Sequence, residues 1–400
     1  MDDEIVCSAS KDAAVLSRTH AELASRMEHQ DDDQFAVAGA KIGSVVNIRK
    51  PARYVGRTGR NMALENHTET SVPLTLDTQF GVDLEFSSAD MLLSLDDFSA
   101  RVLKPAVAVV ANKIDSDIAA QYWNIYNTVG TPGATPNALL TYLLAGARLN
   151  DEAAPNDDMR SLVLTPLAQA TIVDALKGLF QSSQQIKTQY ERGQMGTAVG
   201  FEWYMDQNMA THVVGALGGT PAVFGAGQTG ASLSTNGWTN AAAVRLKRGD
   251  VFTIAGVNAV NPQNRRNTGQ LRQFVVTADS SSDASGNMTI PISPSITTSG
   301  AFQTVTVSPA GGALLTVLGA ANTVSPQNLA FHRDAIVLGM ADLPLPGGVD
   351  MAARVSDKQT GMSIRMIRGY AIQTDVFACR LDALYGISTV YPELAVRIAA

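Results

Sequence analysis

Between residues 219 and 328 the chain becomes a run of short β-branched segments set among Gly, Ser, Thr and Asn, with apolar helix and strand patterns on either side. A host fold is thereby interrupted and later completed. The segments are residues 251–257, 273–278, 288–292, 302–308 and 314–318, bounded by turns such as Lys247-Arg248-Gly249-Asp250, Ser285-Gly286-Asn287 and Pro309-Ala310-Gly311-Gly312. Their spacing suits a small closed barrel. The predicted inner face holds Val251, Phe252, Ile254, Phe274, Val276, Val305 and Val307.

The flanks carry a mixed pattern. Nine acids stand against three bases in the first 33 residues, and Ala13, Leu16 and Leu23 give a weak helical period, so this stretch reads as an arm with a marginal helix. The sign then reverses: Lys41, Arg49, Lys50, Arg53, Arg57 and Arg60 occur between residues 34 and 64 with no acid among them. Residues 44–48 are strand-like, and Gly56, Gly59 and Asn61 predict a turn or flexible loop. From residue 71 to 86, Val72, Leu74, Leu76, Val82, Leu84 and Phe86 recur with period two, which predicts an extended two-stranded loop. Acids return at Asp77, Asp83, Glu85, Asp90, Asp96 and Asp97.

A long helix is predicted next, because Val107, Val110, Ile114, Ile118, Tyr122 and Ile125 are spaced three or four apart and share one face. Asp97 or Ser99 is its candidate cap, Pro105 marks its first turn or a kink, and Gly130, Pro132 and Gly133 stop it. Residues 139–147 and 166–180 read as further helices, with strands at 162–164 and 330–338. Near the end, Phe377, Cys379, Leu381, Ala383, Tyr385 and Ile387 fall on one strand face, and Arg380 and Asp382 on the other.

Bulk properties narrow the function. A chain of 400 residues suits about two to three domains. With 45% hydrophobic and only 17% charged residues, it keeps apolar surface for subunit contacts. A net charge of -7 opposes wrapping of duplex nucleic acid, which needs Lys and Arg to displace counterions. The two cysteines, Cys7 and Cys379, supply neither a disulfide framework nor a Cys-based zinc site and fit a reducing cytoplasm. The Met1-Asp2-Asp3-Glu4 start lacks the basic and apolar regions of a signal peptide, and no apolar run reaches membrane-spanning length, so neither secretion by that route nor a membrane span is expected.

Chemistry-bearing motifs are weak. Gly225-Ala226-Gly227-Gln228-Thr229-Gly230 matches the G-x-G-x-x-G fingerprint, but Ser232, Ser234, Asn236 and Gly237 follow where a phosphate-holding helix must begin, so the segment reads as a flexible loop. The five histidines show no pair at metal-ligand spacing. Glu65, His67 and Glu69 read as a solvated cluster, and Asp31-Asp32-Asp33 lacks the spaced oxygens of a calcium loop. No hydrolase or Walker signature occurs. Within residues 220–328, six bases against three acids give +3, yet Phe224, Trp238, Phe252, Phe274 and Phe302 sit mostly at core-like positions rather than among the bases. A structural protein with no catalytic residue, cofactor or metal is the leading reading. The alternatives are a nucleotide-binding oligomeric enzyme using the Gly225 loop and an RNA-binding barrel module.

The order of elements, from acidic arm through charged loop, long helix and interrupted α/β region to closing strand, resembles the tailed-phage major capsid proteins of the Hong Kong 97-like fold. More narrowly it resembles the coat protein family of phage P22, whose members carry an inserted β-barrel. The local likeness lies in residues 247–260 with Arg-Gly-Asp-Val-Phe-Thr-Ile-Ala-Gly-Val, in 328–346 with Leu329-Ala330-Phe331-His332-Arg333-Asp334-Ala335, and in 375–396.

The resemblance implies an α+β fold with an arm (1–40), an extended loop (41–90), a peripheral domain with a spine helix (91–129 and 369–400), an axial domain (130–219 and 329–368) and the inserted barrel (220–328). It implies self-assembly through pentamers and hexamers into an icosahedral phage head in the virion, built in the host cytoplasm around double-stranded DNA held without sequence-specific contacts. A scaffolding protein, a portal and an optional decoration protein are the implied partners, with no membrane. A charged loop on the barrel joins capsomers in the best-known relative, but residues 222–243 here contain no charge. From the sign reversal along the chain, Arg49, Lys50, Arg53, Arg57 and Arg60 of one subunit are expected to meet Asp77, Asp83, Glu85, Asp96 and Asp97 of the next.

Overall fold

In the computed structural model, residues 23, 24, 27–29, 45–62, 64–87, 104–176, 196–356 and 362–400 are described. They fall into two units, each assembled from distant stretches: residues 1–48, 71–118 and 336–390 in the first, and 49–70, 119–335 and 391–400 in the second. Most of the predicted arm, the helix-cap candidates Asp97 and Ser99, and residues 177–180 lie outside the described residues.

Strand Val376–Thr389 organises the first unit. It pairs antiparallel with Thr78–Ser87 along one side and with Ser363–Ala371 and Ile336–Ala341 along the other, while Met351–Ser356 adds to Ser363–Ala371. The predicted alternation holds: Cys379, Leu381, Ala383 and Tyr385 are buried. Cys379 and Leu381 pack with Val82, Leu84 and Phe86 against Ala106 and Val107 of helix α1 (Lys104–Ala119). Of the opposite face, Arg380 is exposed, but Asp382 is buried in a bidentate pair with Arg365 at 2.9 and 2.6 Å and accepts a further bond from Gln79 at 2.7 Å. Helix α1 has Pro105 as its second described residue and buries Val107, Val110, Ile114 and Ile118, as the spacing requires. It continues into a 3-10 turn, Ala120–Asn124, and Tyr122 and Ile125 are buried beyond it.

Two expectations are corrected here. The strands of residues 71–86, Thr70–Thr75 and Thr78–Ser87, do not pair with each other: the first pairs with Val45–Lys50 and the second with Val376–Thr389. Glycines let the end of the first strand approach closely, because a Cβ on Gly386 would lie 2.0 Å from the Thr75 carbonyl oxygen and one on Gly339 would lie 2.6 Å from Leu74. The predicted strand at 330–338 is two strands, Val324–His332 and Ile336–Ala341, in different units. The intervening 3-10 turn Arg333–Ala335 is favoured by a bond from the Asp334 N–H to His332 Nδ1 at 3.3 Å, a local side-chain partner that competes with the strand ladder.

The second unit contains a mixed sheet in the order Thr128–Gly130, Ala395–Ala399, Val324–His332, Arg160–Leu164, Phe201–Met205, Thr197–Ala198, with Thr211–Val213 alongside the start of Val324–His332. Every residue of Arg160–Leu164 and Ala395–Ala399 is buried, the pattern of central strands covered on both faces. Helices α2 (Leu139–Asp151) and α3 (Pro166–Leu176) contribute Tyr142, Ala145, Leu149, Ala168 and Ile172 to the core around Leu162, Leu164, Phe201 and Trp203.

Six strands of the Gly/Ser/Thr-rich stretch form their own sheet, in the order Gly219–Val223, Gly230–Trp238, Met288–Ile296, Asn267–Val276, Val251–Val260, Leu315–Val317. Its two outer strands are joined in turn: Val223 N–H donates to Ala313 O and Gly312 N–H to Val223 O, both at 2.9 Å, beside an Ala222–Leu314 bridge. Inside lie Leu233, Trp238, Phe252, Ile254, Phe274, Val276, Ile290 and Val305. The predicted strand at 302–308 is reduced to one bridge, Val305 to Ala259, and Val307 is exposed; Val251 packs instead with Tyr126 and Val275. Gly230–Trp238 lies where the sequence reads as loop, because its Gly, Ser, Thr and Asn content matches turn composition.

Candidate functional site

The basic stretch forms a loop anchored at one end. Lys50 Nζ lies 4.8 Å from the centroid of the Tyr391 ring, and burial pushes its ammonium below the ordinary lysine range, with Glu393 opposing. Arg53 donates to Glu393 at 2.6 Å and sits 5.9 Å from the centroid of the Phe302 ring. Arg49 reaches Glu69 at 3.9 Å. Further along, Arg57 bonds only to the Gly59 carbonyl, and Arg60 has no hydrogen bond or ion pair among the described residues. The loop backbone is held by Glu65, which accepts from Val55 N–H and Gly56 N–H at 2.7 Å each, and by Arg265, which donates to Tyr54 O at 2.5 Å. Met62 and Leu64 are 74% and 88% exposed at its far end.

Glu65, His67 and Glu69 do not converge on a point. His67 Nδ1 pairs with the Tyr54 hydroxyl at 2.7 Å and Nε2 with Glu69 at 2.9 Å, while Glu65 faces backbone N–H groups. Among the described residues no cluster of His, Cys, Asp and Glu fits a metal ion.

The acids divide in the same way as the bases. Asp83 is tied to Arg380 of its own chain at 2.7 and 3.3 Å, and that hydrogen bond holds its carboxyl below the usual range. Asp77 accepts only from the neighbouring Thr78 hydroxyl, and Glu85 is exposed with no partner among the described residues. Asp96 and Asp97 lie outside the described residues. Of the ten charges singled out in the sequence, Arg53 and Asp83 are therefore engaged within the chain, whereas Arg57, Arg60, Asp77 and Glu85 have no oppositely charged partner among the described residues.

Two buried polar joints, missed by the sequence reading, fasten the Gly/Ser/Thr-rich segment to the rest of the second unit. At the Lys247-Arg248-Gly249-Asp250 turn, Asp250 accepts from Lys247 N–H at 2.8 Å and Gly215 N–H at 3.1 Å and pairs with His212 at 2.8 Å, and His212 in turn meets the Tyr122 hydroxyl at 3.2 Å. Arg397 donates to Gly249 O at 2.9 Å, and burial lowers its guanidinium pKa to about 10. Arg248 lies 4.0 Å from the centroid of the Trp123 ring, a cation–π contact. At the second joint, Arg272 and Glu152 form a buried pair at 2.6 Å, with Gln273 exchanging bonds with the Thr128 backbone at 2.8 and 2.9 Å and Asn261 donating to Asp151 O at 2.8 Å. A signal existed: Arg272 shares strand parity with buried Phe274 and Val276.

The Gly225 loop joins two strands and opens Gly230–Trp238 rather than a helix. Its interior is occupied by Gln228, whose side-chain amide donates to Phe224 O at 2.8 Å and Ser234 O at 2.9 Å and accepts from Ser234 N–H at 2.7 Å. The helix terminus that a dinucleotide site needs is replaced by a strand. No helix among the described residues is long and apolar enough to cross a membrane.

Comparison with known proteins adds the deciding observation. The model of the family described as "P22 coat protein - gene protein 5" matches residues 33–398, nearly the whole chain. The chain belongs to this family. It is a phage capsid shell protein, and the match takes in the loop, the joints and the inserted strands. None of the curated proteins matches the sequence. Among solved structures, the capsid of Ralstonia phage GP4 aligns with a TM-score of 0.46 at 8% identity, covering 90% of this chain and 84% of that one. A Mycobacterium phage Che8 chain aligns at 0.41 with 13% identity, covering 90% and 85%, and a virus-like particle from Pyrococcus furiosus at 0.38 with 9% identity, covering 98% and 96%. For a coat protein the working parts are the surfaces that meet other copies, so the charges with no oppositely charged partner among the described residues become the candidates for function.

Proposed function

We propose that this coat protein assembles through pentamers and hexamers of itself into an icosahedral phage head around double-stranded DNA, in the host cytoplasm and with a scaffolding protein and portal as partners. Helix α1 serves as the spine helix, residues 41–90 as the extended loop, and residues 220–328 as an inserted barrel. The joined outer strands and a core drawn from within that segment support the last assignment. The observation that carries the assembly reading is the presence of exposed charges of both signs without oppositely charged partners among the described residues: Arg57 and Arg60 on the loop, Asp77 and Glu85 on or beside strand Thr78–Ser87. Each exposed pair contributes only about 0 to 1 kcal/mol, so the effect comes from repetition around a shell.

The test is charge reversal in the purified full chain. Arg57→Glu with Arg60→Glu is expected to abolish or delay shell formation, seen by negative-stain microscopy, while circular dichroism stays that of the parent. Adding Asp77→Arg and Glu85→Arg is expected to restore shells. Normal shells from the first variant at both low and high salt would sink the contact assignment.

A further inference from the structure

The basic loop has no ladder of its own. No described residue from 51 to 69 lies in a helix or strand, and connections longer than about 12–15 residues without secondary structure are uncommon in compact domains. Side chains therefore order its backbone. Glu65 does so from within the loop, accepting from Val55 N–H and Gly56 N–H. A second hold comes from the inserted segment. Arg265 donates from Nη2 to Tyr54 O at 2.5 Å and reaches Val55 O from Nη1 at 3.5 Å, while its Nε donates to Gly300 O at 3.2 Å inside the insertion. One planar fork with five N–H donors can span these oxygens, whereas a lysine offers a single point of charge. Beside it, Phe302 of the same segment lies 5.9 Å from the Arg53 guanidinium at the root of the loop.

The turn that presents Arg265 is itself fixed. Arg265 N–H donates to Asn261 O at 2.8 Å, and Asn261 Oδ1 accepts from Gln263 N–H and Asn264 N–H at 3.0 and 3.1 Å. Asn261 Nδ2 donates in turn to Asp151 O at 2.8 Å, at the end of α2. A chain of bonds thus runs from a host helix through the turn to the loop carbonyls. Arg265 sits at φ 55°, in the left-handed region that a residue other than glycine enters only at a cost, and it is half-buried. The next residue, Arg266, is exposed, and its side chain has no hydrogen bond or ion pair among the described residues. Two adjacent arginines with the same charge therefore differ in one respect: only Arg265 grips the loop.

We infer that Arg265 is a positioning residue for the basic loop: by holding the Tyr54 and Val55 carbonyls it fixes the direction in which Arg57, Arg60, Met62 and Leu64 leave the subunit. The inference rests on the assembly reading and deepens it, because it makes the insertion the part that orients the loop within its own chain. A loop ordered before contact loses less conformational freedom on meeting a second copy. The bonds reach backbone oxygens, so they set the path of the loop whatever side chains its tip carries.

The experiment uses full-length Arg265→Ala, with Arg266→Ala as the control that removes the same charge from the same turn. Arg57 and Arg60 are trypsin sites, so brief digestion of the unassembled chain, with fragments identified by mass, reads the loop directly. Arg265→Ala is expected to be cut after Arg57 and Arg60 roughly threefold to tenfold faster than the parent, at an unchanged thermal midpoint, because cleavage follows local opening of the loop. Arg266→Ala is expected to be cut at the parent rate. A parent rate for Arg265→Ala overturns the inference, and so does equal acceleration by the two variants. Acceleration accompanied by a lowered midpoint also overturns it, since Arg265 is then a general stabiliser. In assembly, Arg265→Ala is expected to raise the concentration needed for shells about threefold or more, and Arg266→Ala to leave it unchanged. Shells from Arg265→Ala at the parent concentration overturn the link between loop direction and assembly. The trypsin comparison needs no shells, so failure of the Arg57 and Arg60 contact assignment, read by charge reversal, is distinct from failure of the Arg265 hold.

Discussion

Buried charge decides more of this molecule than its small share of the sequence suggests. The Arg272–Glu152 pair sits 3% and 6% exposed between the inserted strands and the end of α2, and the Arg272 Nε atom has no hydrogen-bond partner among the described residues. Truncating one partner strands the other in a low-dielectric site, so Arg272→Met is expected to cost roughly 3–5 kcal/mol in urea unfolding, while the double change with Glu152→Leu recovers most of that loss. Burial already pushes the Glu152 carboxyl above its ordinary range. A raised folded pKa gives stability that is present below the unfolded value and lost as pH rises through the folded one. Removing the guanidinium raises Glu152 further, so the penalty of Arg272→Met is expected to shrink from about pH 7 to about pH 5. An unfolding midpoint that falls over that range relative to the parent would contradict the assignment.

At the scale of elements, close backbone approach does work that no apolar pattern reveals. Gly386 sits mid-strand in Val376–Thr389, and a methyl group there would meet the Thr75 carbonyl at 2.0 Å. Gly386→Ala is therefore expected to destabilise by about 1–3 kcal/mol or more, read as a lowered melting temperature, whereas Gly369→Ala in the neighbouring strand, with open space at its Cβ, is expected to change it little. Equal shifts from the two substitutions would refute the steric account. The inserted segment gives a second element-scale prediction. Residues 220–328 supply nearly all of the buried cluster around Phe252 and Phe274, so the fragment is expected to fold alone with a cooperative melt and dispersed amide signals. It exposes Arg272 and Val251 on release, so its melting temperature is expected to lie below that of the full chain. A soluble but disordered fragment would defeat the boundary.

For the whole molecule, the proposed contacts between copies through exposed charges are expected to respond to salt. The Debye length falls from about 10 Å at 0.1 M to about 3 Å at 1 M, which would weaken the proposed Arg57 and Arg60 contacts. Wild-type assembly is expected to slow with added salt, and the Arg57→Glu, Arg60→Glu variant to lose that dependence; light scattering at several ionic strengths checks both. Much of this was legible in the chain: the face of α1 from Val107 to Ile118, the alternating face of Val376–Thr389 and the interruption at 219 follow from periods of 3.6 and 2 that local chemistry imposes on any fold. The acid and base stretches were equally plain. What the sequence left open was partnership. Thr70–Thr75 pairs with Val45–Lys50, Arg53 is held by Glu393 340 positions away, and Arg397 lies beneath Gly249, because strand pairing and buried ion pairs depend on which distant segments meet, and that is settled only when the tertiary structure removes them from water.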